Sequence, residues 1–192
     1  MSQIYFSSDY HFNHDREFVY QARGFPNIEE MNETIIQRHN EIVKPEDIVY
    51  VLGDLCLGGG SEEMLQKNKE LIERLNGILY IIRGNHDSDN RCKMYRSCKN
   101  VKQVTAAMYL NYNGYHFYLS HYPTLTSNLE NSASLSQHVI NLFGHTHQMG
   151  NFYNDIPFMY HVGMDSHNCT PVNIDQVIED IKKEVQVCYK QL

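Results

Sequence analysis

Apolar runs at residues 3–7, 47–52 and 78–82 are separated by two stretches of helical periodicity, and each runs directly into a polar cluster. Between the first two, Ile28, Met31, Ile35, Ile36, His39 and Ile42 recur at helical spacing. Asn27 and Glu30 resemble a capping box ahead of them, and Pro45 lies beyond their end. Between the second and third, residues 64–75 form an amphipathic pattern, with Ser61 as N-cap and Gly77 as stop signal. The runs are continuously apolar rather than alternating, as in strands covered on both faces. The β-α-β-α-β order therefore predicts an α/β fold with a parallel sheet.

The second half changes character. Residues 101–110 and 115–119 flank a turn rich in Asn and Gly (Asn111, Asn113, Gly114), a hairpin signal. Residues 139–143 and 152–162 read as further strands, and residues 173–189 as a weaker helix. No repeat or linker divides the chain, and its 192 residues suit a single domain spanning 1–192.

The runs end in residues that bind metals. Asp9 and His11 follow the first, Asp54 the second, and Asn85, His86 and Asp87 the third; His121 follows the hairpin, and His145 and His147 follow the run at 139–143. In α/β sheets the loops at the carboxyl ends of strands converge on ligands. Carboxylate, imidazole and amide oxygen favour hard or borderline divalent ions over thiolate-seeking metals. Two such ions about 3.5–4 Å apart can activate a hydroxide and clamp a phosphoryl group for in-line displacement. Turn chemistry by itself accounts for Gly53, Gly84 and Asp87. It does not account for five of the eleven histidines (His11, His86, His121, His145, His147) falling in order at separate strand ends.

Taken together, Asp9-x-His11, Gly53-Asp54, Gly84-Asn85-His86-Asp87, His121 and Gly144-His145-x-His147 resemble the signature of the calcineurin-like metallophosphoesterases. The resemblance implies a four-layer α-β-β-α sandwich with mixed sheets. It implies a first metal held by Asp9, His11, Asp54 and His147. Asp54 would bridge to a second ion completed by Asn85, His121 and His145. His86 would act on the substrate, with Asp87 orienting it. Manganese is the favoured metal among manganese, iron, zinc, nickel and magnesium. The short length, the run from Asp9 to His14, Pro123, and the segment from His161 through Gly163 to Asp165 resemble a small bacterial or phage branch of the superfamily.

Residues outside the motif are read more plainly. His14 and Arg16 are candidate substrate contacts with Asn85, and Arg83 is a further candidate for phosphate. Arg23 is a candidate for phosphate too, although a surface arginine is its commoner reading. His39, His116, His138, His161 and His167 read as structural histidines, and Cys56 as packing.

The remaining composition narrows the setting. Five cysteines without a CxxC pair argue against a disulfide framework or a zinc ribbon and fit a reduced, cytoplasmic protein. The N-terminus lacks a signal-peptide pattern, and no apolar run is long enough to span a membrane. A net charge of -7 disfavours stable nucleic-acid binding through a basic surface. The expected partner is a phosphate-ester substrate, a small diester or nucleotide ahead of RNA or DNA, with access controlled by insertions at 12–27, 55–61, 88–99 and 122–138. Two rival readings compete. An inactive scaffold should have lost motif residues, and an HD-type phosphohydrolase should be helical where this chain is strand-like. The oligomeric state is not encoded in any of these features.

Overall fold

The computed structural model describes residues 2–126 and 135–189, so part of the 122–138 insertion lies outside the described residues. The first half builds β1 (Ile4–Ser7), α1 (Glu17–Tyr20), α2 (Ile28–Ile42), β2 (Ile48–Val51), α3 (Glu62–Ile72), β3 (Ile78–Ile82), α4 (Asp89–Ser97) and β4 (Val101–Thr105). The second half adds β5 (Met108–Tyr112), β6 (Tyr115–Leu119), β7 (Val139–Phe143), β8 (Phe152–Tyr153), β9 (Ile156–His161), β10 (Val172–Asn173) and α5 (Ile174–Tyr189). Strands β1 to β4 are parallel neighbours, and β10 closes that sheet antiparallel to β1. The second sheet has the order β5-β6-β7-β9-β8, parallel at its centre and antiparallel at both edges. Both sheets are therefore mixed, as expected of this α/β class.

Side-chain alternation along the first three strands explains the layers. Val49, Val51, Leu79 and Ile81 face helices α2, α3 and α4, packing with Met31, Ile35, Ile72 and Tyr95. Phe6, Tyr50, Leu52 and Ile82 point the other way, against Phe117, Leu119, Ile140, Leu142 and Tyr160 of the second sheet. Helix α5 packs on β9, β10 and β1 and adds Val177, Ile178 and Ile181 to that inter-sheet core. Among the described residues, no helix is long and apolar enough to cross a membrane.

Helix starts follow the local chemistry. Asn27 accepts a hydrogen bond from the Glu30 N–H at 2.8 Å, and Ser61 from that of Met64 at 3.3 Å. Two expectations are corrected. Residues 101–110 do not form one strand: the chain breaks at Ala106 and Ala107, leaving β4 in the first sheet and carrying β5 into the second. Residues 152–162 are likewise a hairpin, turned at Asn154 and Asp155, both with positive φ. Paired left-handed residues suit the twist of a tight hairpin.

Candidate metal centre

The site lies where the carboxyl ends of strands from both sheets meet. Pairing of β1 with β2 continues beyond the strands: Asp9 N–H donates to the Gly53 carbonyl at 3.0 Å and His11 N–H to that of Asp54 at 3.1 Å. The second sheet is laced to the same loop, since Ser8 bridges to Gly163 and Met164 N–H donates to the Ser8 carbonyl at 3.1 Å. Asp9, His11, Asp54, His145 and His147 all take left-handed backbone conformations, with φ from 49° to 67°. Each such residue costs on the order of 1–3 kcal/mol and persists only where its surroundings over-determine it. Here the interlocked loops do so. Gly84 and Gly144 are required by close approach: a Cβ on Gly84 would strike the Asp54 carboxylate, and one on Gly144 the side chains of Ser8 and Asp9.

Two groups of donor atoms converge. In the first, Asp9, His11 and His147 bring their ligand atoms within 4.8 Å of one another. Asp9 Oδ1 lies 3.7 Å from His11 Nε2 and 3.9 Å from His147 Nε2. In the second, Asp9, Asp54 and His121 meet the same limit, with Asp54 Oδ2 3.5 Å from His121 Nε2. Asn85 Oδ1 stands 2.8 Å from His121 Nε2 and 2.9 Å from His145 Nδ1. Asp9 thus belongs to both groups and Asp54 to the second, and all seven residues expected to hold metal are brought together.

The chemistry of these atoms fits divalent cations. Asp9 Oδ1 and His11 Nε2 are buried and have no hydrogen-bond partner, an arrangement that is costly unless a cation satisfies both. The Nδ1 of His121 faces the Leu52 carbonyl at 2.8 Å. A carbonyl only accepts, so this nitrogen carries a hydrogen, and Nε2, beside the Asn85 oxygen, is the atom that would face a metal. Charges point the same way. Burial pushes the Asp9 carboxyl up, but the neighbouring imidazoles of His11, His147 and His121 outweigh it and hold Asp9 below the usual carboxylate range. Burial raises Asp54 against the pull of His121, and burial lowers His11 and His145, keeping these imidazoles neutral and able to donate. Oxygen and nitrogen donors without thiolate suit hard or borderline ions.

The expected substrate-side residues are placed unequally. His86 is 44% exposed and its Nε2 stands 4.0 Å from Asp54 Oδ2, at the open side of the cluster. The Asp87 carboxylate makes no hydrogen bond to it. One Asp87 oxygen accepts from the backbone N–H groups of Asp54 and Gly84, at 3.0 and 2.8 Å, and the other from the Tyr95 hydroxyl at 2.7 Å. The carboxylate is thus committed to the loop frame. His14 stacks on His11, with the two Nδ1 atoms 3.0 Å apart, and burial together with the neighbouring His11 and His86 lowers its pKa to about 4. With His11, His86 and His147 it lines a cavity of about 520 Å³ whose other wall is Phe18, Val19, Ala22 and Met149. Arg16 instead opens onto a neighbouring hollow shared with His14 and Gly58. Arg83 is engaged by the Asp87 carbonyl at 2.7 Å and the Asp89 carboxylate at 2.8 Å, turned away from the cluster.

Arg23 is not a surface arginine. Its side chain is only 3% exposed; Nε and Nη2 grip the two oxygens of Asp165 at 2.9 and 3.0 Å. Asp165 Oδ2 in turn meets His147 Nδ1 at 2.8 Å. Burial pushes Asp165 up, but the bonds from His147 and Arg23 outweigh it and hold it ionised; His147 is raised chiefly by that same bond. Neither residue was expected behind a metal ligand. The one available signal was Asp165 two residues after Gly163, behind an apolar run. His161, read as structural, bonds Ser166 at 2.8 Å, but its Nε2 is buried without a partner near the same loop. His39 lies apart from the cluster, between Tyr10 and Asn76.

Two mixed sheets with a carboxylate–imidazole–amide cluster at their joined strand ends define a metal-dependent hydrolase. The model of the calcineurin-like phosphoesterase superfamily domain matches residues 3–183, and the chain belongs to that family, whose members hydrolyse phosphate esters with divalent metal ions. The chain is 35% identical over 192 residues to the uncharacterized protein MJ1445 of Methanocaldococcus jannaschii, covering 95% of this chain and 93% of that one. It is 28% identical over 209 residues to the Gene 66 protein of Mycobacterium phage D29, covering 95% and 99%. The crystal structure of the protein of unknown function AQ665 from Aquifex aeolicus shares the fold, with a TM-score of 0.68 at 20% identity over 93% of this chain and 99% of that one.

Proposed function

We propose that this phosphoesterase is dinuclear and acts on small phosphodiesters or nucleotides in the cytoplasm, with manganese as the favoured metal. The observation that carries the reading is the convergence of two donor groups that share Asp9, the second including Asp54, with Asp9 Oδ1 and His11 Nε2 buried and without hydrogen-bond partners. Asp9, His11, Asp54 and His147 would hold the first ion; Asp54, Asn85, His121 and His145 would hold the second. Two ions so held supply Lewis acidity to the phosphoryl oxygens and make water a competent nucleophile near neutral pH.

The protein's own groups do the rest. His86, exposed beside Asp54, moves a proton to the leaving oxygen. Asp87 fixes the turn that carries His86 and Asn85 by holding its backbone against that of Asp54. The apolar wall of Phe18 and Met149, 73% and 78% exposed, receives the organic part of the ester beside His14. A pocket of this size favours a compact nucleotide-like group over inorganic products alone, and the net charge of -7 disfavours long polyanions.

The test is hydrolysis of a panel of generic mono- and diesters, cyclic nucleotides and short RNA, each with manganese, nickel, zinc and magnesium. Metal-dependent turnover of small diesters or nucleotides is the expected result. No bound metal and no hydrolysis with any ion would overturn the dinuclear reading, and preferential cleavage of RNA would replace the substrate assignment.

A further inference from the structure

Arg23 and Asp165 are 142 positions apart in sequence, yet form one buried assembly with two of the proposed ligands. We infer that Asp165 is a positioning residue that fixes which nitrogen of His147 faces the first metal position, and that Arg23 holds Asp165 to that task. The inference rests on the metal centre proposed above.

The geometry leaves little freedom. An ionised carboxylate only accepts hydrogen bonds, so the 2.8 Å contact with Asp165 Oδ2 places the hydrogen of neutral His147 on Nδ1. Its Nε2 is then a bare lone pair, 3.9 Å from Asp9 Oδ1, where the first metal would bind. A carboxylate behind a ligating imidazole fixes tautomer and ring orientation in this way. Arg23 makes the arrangement rigid. Its guanidinium meets Asp165 fork to fork and also donates to the carbonyls of Asp9 at 2.8 Å and Tyr10 at 3.1 Å. One buried side chain therefore ties the backbone that carries Asp9 and His11 to the carboxylate that sets His147. Lysine cannot copy this, because its ammonium has no planar fork.

The test is Asp165→Asn, which keeps the shape of the side chain and an oxygen for Arg23. Its amide would donate to His147 Nδ1, giving up the bond that Oδ2 accepts from Arg23 Nη2, and so drive the hydrogen to Nε2. Nitrogen-15 NMR of the metal-free protein, at a pH high enough that the His147 signals are those of a neutral ring, should find the hydrogen of His147 on Nδ1 in the natural protein and on Nε2 in the variant. Calorimetric titration with manganese should show one of about two ions bound roughly 10–100-fold more weakly, the usual cost of losing such a partner. The inference is overturned by an unchanged tautomer, or by unchanged affinity in a folded variant. Should the variant not fold, finding the hydrogen on Nε2 in the natural protein overturns it alone. These readouts do not involve an ester, so failure to hydrolyse phosphate esters would count against the proposed function and leave this inference standing.

Discussion

The carboxylate of Asp87 accepts a hydrogen bond from the backbone N–H of Asp54 at 3.0 Å, joining the turn after β3 to the turn after β2. The same oxygen holds Gly84, and its partner oxygen takes the Tyr95 hydroxyl. A residue adjacent to the proposed catalytic imidazole thus acts on the frame beneath it.

Asp87→Ala should therefore be a stability variant first. It leaves two backbone donors without their acceptor and the Tyr95 hydroxyl with only the Cys56 thiol at 3.4 Å, at about 1–3 kcal/mol for each group that water cannot reach. A net loss of about 3 kcal/mol corresponds to a fall of roughly 6–12 °C in a chain of this length. Calorimetry checks it; a Tm within a degree or two of the natural protein would mean the carboxylate is not structural.

His86→Ala should separate chemistry from metal binding. With the imidazole exposed and 4.0 Å from Asp54, kcat should fall roughly 10²–10⁴-fold, the range for a positioned acid or base. Metal content should stay level with the natural protein. In Asn85→Ala, by contrast, the oxygen between His121 and His145 is lost and one ion should weaken. Equal metal loss in both variants, measured by elemental analysis, would remove His86 from the substrate side.

Asp54→Ala and His145→Ala should each abolish metal-dependent turnover while preserving the circular dichroism spectrum. Removing only an outer partner of a ligand costs ~10–100-fold, so loss of a ligand itself should exceed a hundredfold. Activity within a few-fold of the natural protein in either variant would refute the ligand assignment.

Acid should destabilise the fold through His39. Its Nε2–H donates to the Asn76 carbonyl at 2.9 Å and its Nδ1 accepts from Tyr10 Oη at 2.9 Å; burial drives its pKa down to about 4. The folded-state pKa lies below the unfolded value near 6.5, so the unfolded chain binds more protons between these limits. The neutral ring's contribution is therefore full above about pH 6.5 and is lost as pH falls towards 4. Between about pH 7 and pH 5 this amounts to roughly 2 kcal/mol. Urea midpoints for the natural protein and His39→Gln should show that part of the slope only in the former; parallel pH dependences would contradict it.

Where one element supplies its own signal, the sequence was informative. Helix α2 declares itself by spacing and by Asn27, and β3 by an unbroken apolar run closed by polar residues. The ligand set was legible because each residue sits at the end of such a run. Helix α4 was not, since a polar stretch with Arg91 among its buried positions lacks an apolar stripe. The break at Ala106 was hidden because sheet membership is decided by partners distant in sequence. Arg23 was misread for the same reason: an isolated arginine in a loop looks solvated until Asp165 arrives from the far end of the chain.

The proposed ligands come from both sides of a seam. Asp9, Asp54 and Asn85 extend from the first sheet, and His121, His145 and His147 from the second. What keeps those two sets at working separation is the thickness of the layer between them, where Phe6 meets Phe117 with ring centres 6.3 Å apart. The aromatic filling acts as a spacer gauge for the chemistry at its rim. A bulkier or slimmer residue there changes how far apart the two halves of the cage stand, so interior substitutions that the fold tolerates should also surface as altered metal preference.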